Sequence, residues 1–131
     1  MIKQQFNVDG YWNVVVFYNV DYHFFDDIRL ELKIIGFPEV AIEEIKNTMQ
    51  SGAAKAVTCS VISQYASVVL FNPHTSKADY IDSIVHEAEH IKQAMLKAYQ
   101  VEDKGEPPAY TIGYLISRMY QVFQYLICNC S

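Results

Sequence analysis

The chain has 131 residues, with 10 Lys and Arg against 15 Asp and Glu for a formal net charge of −5, and 51% of it is hydrophobic. Five Gly and four Pro exclude collagen-like, low-complexity and disordered classes. The charge has the wrong sign for gripping phosphate backbones, and the length falls below the ~150 residues of an average domain, so one domain without a nucleic-acid partner is expected.

A chain of this size buries roughly two thirds of its unfolded surface, enough to stand without disulfides or structural metal. The cysteines, Cys59, Cys128 and Cys130, form an odd set that fits a reducing compartment better than a disulfide framework. Residues 1–10 lack a basic region followed by an apolar core and a small-residue cleavage site, so a cytoplasmic location is the expectation. Residues 110–128 are long enough to raise a membrane question, but Arg118, Gln121 and Gln124 interrupt them and a soluble helix is the better reading.

In chain order, the β-branched and aromatic run from Trp12 to Tyr18, bounded by Asp9-Gly10 and Asn19, predicts a buried strand. Over 22–35, Phe24, Phe25, Ile28, Leu32 and Ile35 recur at helical spacing before a Gly36 stop. Pro38 opens a second helix with Ile42, Ile45 and Met49 inward and Ser51-Gly52 at its end. Residues 56–63 and 67–72 are short β-rich runs joined by Gln64-Tyr65-Ala66, which gives a sheet of about three strands. Ser76, with Asp79 three residues on, caps a long helix to about residue 100, and Pro107-Pro108 opens a last one to about residue 128. The whole reads as an α+β domain, a small sheet packed with helices. The last helix is apolar around much of its circumference, so it is either central to the core or partly covered by a second copy of the chain.

The sharp motif is His86-Glu87-Ala88-Glu89-His90, HExxH on a predicted helix. At ~100° per residue the two histidines stand a turn apart on one face, where their ring nitrogens can share one tetrahedral Zn²⁺. Glu87 then sits beside the metal, placed to take a proton from zinc-bound water. Ile81, Ile84, Ala88, Ile91 and Met95 are expected to form the buried stripe, with the histidines projecting away from it. The plainer alternative is a solvated polar face shared with Asp79, Asp82, Gln93 and Lys97. A catalytic zinc normally takes three protein ligands. Glu106, at the start of the last helix, is the best third, with Glu102, Asp103 and His74 as rivals. Tyr110, Tyr114 and His74 are candidate stabilisers of an oxyanion, beside the ordinary reading of the tyrosines as packing residues.

His86-Glu87-x-x-His90, followed by Glu106-Pro107-Pro108-Ala109-Tyr110 and Gly113-Tyr114, resembles minimal, single-domain gluzincin metallopeptidases and small HExxH proteins of phages and mobile elements. The specific part of the resemblance spans about thirty residues, although a looser likeness extends over most of the chain. It implies a zincin-like fold, zinc held by His86, His90 and Glu106, and Glu87 as general base. It also implies a peptide substrate received by strand addition along Val68, Val69 and Leu70. Two functions follow as expectations: a zinc metallopeptidase, or a catalytically inactive zincin-fold accessory protein of phage or mobile-element origin.

Overall fold

A computed structural model describes residues 1–126, with the side chain of Glu106 outside the described residues. The fold is α+β: strands β1 (Ile2–Val8) and β2 (Trp12–Tyr18), helices α1 (Phe25–Ile34) and α2 (Glu39–Gln50), strands β3 (Ala56–Val61) and β4 (Ala66–Phe71), then helices α3 (Lys77–Tyr99) and α4 (Glu106–Phe123). The sheet is mixed, in the order β1-β2-β4-β3, with β2 parallel to β4 and the two outer pairs antiparallel.

Both faces of this sheet are covered. Val14, Val16, Tyr18, Val69 and Phe71 pack with α3 and α4, whereas Val15, Phe17, Val68 and Leu70 pack with α1 and α2. That double burial explains why β2 and β4 read as continuous apolar runs rather than alternating ones. Trp12 is fully buried at the start of β2, where its ring Nε1–H donates to Ser67 Oγ at 3.0 Å.

Strand β1 is the element that pattern reading missed. Its exposed residues, Lys3 and Gln5 among them, dilute the apolar signal, and only Phe6 and Val8 are buried. Asp9-Gly10, read from the sequence as a boundary, is the turn of a hairpin: both residues have positive φ, 55° and 76°, and Tyr11 N–H donates to Val8 O at 3.1 Å.

The same topology corrects the expected peptide-receiving edge. Val68, Val69 and Leu70 lie on β4, where they pair with Val15, Val16 and Phe17 on one side and with Cys59, Thr58 and Val57 on the other. With its backbone ladder used on both sides, β4 has no edge to offer an incoming strand. The outer strands are β1 and β3.

In α3, Ser76 Oγ accepts from Asp79 N–H at 3.1 Å as the expected cap, and Gln100 ends the helix in the left-handed conformation. The buried stripe is Tyr80, Ile84, Ala88, Ile91 and Met95. Ile81, expected in that stripe, is exposed, because Tyr80 occupies the slot between Phe71 and Phe123. In α4 the prolines occupy the first turn, Leu115, Met119 and Phe123 are buried, and Tyr110, Tyr114 and Tyr120 are exposed. Helix α4 ends at Phe123, short of the predicted Cys128, and residues 124–126 form a turn; Cys128 and Cys130 lie outside the described residues. Among the described residues no helix is long and apolar enough to cross a membrane.

Burial, and then the Glu87 carboxylate, pushes the Cys59 thiol up to about 12, and burial also raises the Tyr18 and Tyr80 hydroxyls. In the unfolded chain these groups ionise from about pH 8.5 for Cys and about pH 10 for Tyr, while the folded groups stay neutral. Their contribution to stability is therefore complete below those values and is lost as the pH rises towards the folded ones. The urea midpoint is expected to fall steadily between about pH 8.5 and pH 11; a flat profile over that window contradicts the burial of these groups.

Candidate functional site

Positions 83, 86, 87 and 90 recur on α3 at steps of three and four, a set distinct from the buried stripe. His86 and His90 are exposed. Their Nε2 atoms lie 3.2 Å apart, with ring planes at 83°. Tetrahedral zinc with bonds of about 2.05 Å separates two ligand nitrogens by about 3.3 Å, so the pair has the spacing of two of four zinc ligands. The donor chemistry also fits, since neutral imidazole nitrogens suit Zn²⁺.

Glu87, between them in sequence, is buried instead, at 4% exposure. A buried carboxylate needs a partner, and β3 supplies one: the Thr58 hydroxyl donates to Glu87 Oε1 at 2.9 Å. Thr58 and Glu87 thereby join α3 to the outer strand of the sheet. Lys55, Ala56, Asp82, Ser83, His86 and Glu87 line one cleft of about 310 Å³ beside this contact. Lys55 Nζ contacts Asp79 Oδ1 at 2.7 Å, and this hydrogen bond holds the Asp79 carboxyl below the usual carboxylate range.

The remaining predicted ligands go elsewhere. Lys92, 8% exposed, sets its ammonium between Glu89 Oε1 at 2.8 Å and Asp103 Oδ1 at 3.0 Å, and the hydrogen bond to Glu89 is the larger cause of its raised pKa. This clamp ties the segment after α3 back along the helix and occupies Asp103. Glu102 pairs with Lys104 at 2.8 Å on the exposed turn. His74 places Nδ1 2.6 Å from Asn72 O and Nε2 2.7 Å from Ser83 Oγ, so both ring nitrogens are engaged. Among the described residues no group of three or more His, Cys, Asp or Glu is gathered to hold a metal. Glu106 begins α4, and its side chain lies outside the described residues.

Tyr110 and Tyr114 are not brought to the His86–Glu87 cleft. They line a separate hollow of about 440 Å³ with Val8, Met95, Tyr99 and Pro107, and the Tyr114 hydroxyl donates to Asn7 O at 3.2 Å. Two contributors to the site were missed from sequence, Thr58 and Ser83. The helical offset of Ser83 from His86 was a legible signal; Thr58 gave none, because its approach depends on how α3 lies across β3. No protein-family model, curated protein or solved structure matches the chain.

Replacing Thr58 by Val removes the hydroxyl while keeping the shape, and leaves a buried carboxylate oxygen without this donor. Thr58→Val is expected to lose about 1–3 kcal/mol in urea unfolding. Unchanged stability would show that the Thr58–Glu87 bond does not hold α3 to β3.

Proposed function

We propose that the chain is a zinc-dependent hydrolase of peptide bonds with a zincin-like core of gluzincin type, working in the cytoplasm. His86, His90 and Glu106 hold the metal, and Glu87 is the general base. The observation that carries this reading is the 3.2 Å approach of the two Nε2 atoms on the exposed face of α3, with Glu87 turned into the adjoining cleft. Support for Glu106 comes from the resemblance, together with the engagement of Asp103, Glu102 and His74 by other partners.

Zinc, when bound at such a site, supplies a Lewis acid that polarises a carbonyl and acidifies water. The chain supplies the rest. Thr58 holds Oε1 of Glu87 in a fixed orientation, which leaves Oε2 to take up a proton. The outer strand β3, beside the cleft, is the edge along which an extended peptide adds, in place of the inner β4. A non-catalytic interaction module is the second reading, and the Thr58–Glu87 bond favours it to the extent that the carboxylate then serves to fasten α3 to the sheet.

Purified protein is expected to carry close to one zinc per chain by elemental analysis, and His86→Ala to lose most of it. Glu87→Gln should keep the zinc but cut a peptide library at least ~100-fold more slowly than the unmodified chain. Protein that cannot be loaded with zinc contradicts the metal reading, whereas zinc-loaded chain without any cleavage points to the interaction module.

A further inference from the structure

The pairing of His74 with Ser83 is unused by the mechanism above, although Ser83 lines the same cleft. The Asn72 carbonyl can only accept, so the proton of neutral His74 sits on Nδ1, 2.6 Å away. Nε2 is then a lone-pair acceptor, and the contact of 2.7 Å to Ser83 Oγ is a hydrogen bond donated by the serine. A serine inside a helix ordinarily returns its hydroxyl to the carbonyl four residues earlier; this one is directed at an imidazole.

The imidazole is held in place from several sides. Its ring stacks on Tyr80 with centroids 4.2 Å apart. Asn72 is itself fixed: its N–H donates to Lys55 O at 2.9 Å, its side-chain amide donates to Met49 O and Ala54 O, and its Oδ1 accepts from the Tyr22 hydroxyl at 2.6 Å. A hydroxyl bonded to the lone pair of a neutral imidazole, whose other nitrogen is oriented by a fixed acceptor, is the arrangement that activates a serine.

We infer that Ser83 is a nucleophile activated by His74, a dyad with the Asn72 carbonyl as the orienting third member, and that it takes small carboxylic esters. Ser83 Oγ bonds to the acyl carbon as its proton passes to His74 Nε2. The alcohol leaves with that proton, and the acyl group stays on Oγ. Water then attacks the acyl carbon, gives a proton to Nε2, and the carboxylic acid departs as Nε2 returns the proton to Ser83 Oγ. Lys55 is the lysine among the residues lining the cleft, and it meets a developing oxyanion only by leaving its 2.7 Å pair with Asp79, while Asp82 and Glu87 disfavour anionic acyl groups. This activity does not depend on zinc.

The test is made on the full chain in excess chelator, with an alkyl fluorophosphonate as probe and peptide mapping of the adduct. A stoichiometric adduct at Ser83 is expected, formed at least ~100-fold more slowly in His74→Ala, with circular dichroism confirming the fold of the variant. An adduct confined to other residues, or Ser83 labelled equally fast in His74→Ala, overturns the inference. Should His74→Ala not fold, Ser83→Ala decides: it is expected to abolish the p-nitrophenol burst that the unmodified chain releases from p-nitrophenyl acetate, and a burst that persists overturns the inference. Because chelator is present throughout, the outcome is separate from that of the zinc experiments.

Discussion

Helix α3 has to serve two surfaces at once, and most of the molecule follows from that constraint. One set of positions, Tyr80, Ile84, Ala88, Ile91 and Met95, is buried against the sheet and α4. The offset set 83, 86, 87 and 90 carries the histidine pair, Glu87 and Ser83. A helix advances ~100° per residue, so turning it to bring 86 and 90 into the places of 87 and 91 would bury both histidines. The aromatic packing of Tyr80 between Phe71 and Phe123 therefore fixes the orientation of His86 and His90, although it touches neither.

Within the offset set, depth separates the roles. The histidines stand in solvent with their Nε2 atoms hydrogen-bonded to each other at 3.2 Å, whereas Glu87 and Ser83 turn towards the sheet and require polar partners there. Thr58 and His74 provide them, from β3 and from the segment between β4 and α3. The cleft thus sits where three chain segments meet at the outer strand. The Lys92 clamp to Glu89 and Asp103 adds a further tie, drawing the segment before α4 back along the motif helix.

Much of the scaffold was legible in the sequence because local chemistry agreed with it. Ser76 caps α3, Pro107 and Pro108 open α4, and the apolar run from Trp12 to Tyr18 announces the buried strand β2. The failures are those of non-local information. Strand order cannot be read from composition, and β4, which the resemblance implied as the substrate-receiving edge, is interior because β3 returns along its far side. Strand β1 escaped notice because, as an outer strand, it buries little beyond Phe6 and Val8. In the site, the spacing of HExxH fixed the His86–His90 geometry through helical periodicity alone. The partners Thr58 and His74 lie 29 and 9 residues from the groups they meet, beyond the reach of any local pattern.

The central claim is that the exposed face of α3 holds one zinc through two imidazoles. X-ray absorption at the zinc edge, on the full chain loaded with one equivalent, tests it most directly. Two imidazole nitrogens at about 2.0 Å, with the remaining shell made of oxygen, are the predicted result. A shell dominated by sulfur at about 2.3 Å would place the metal on cysteines instead and contradict the account.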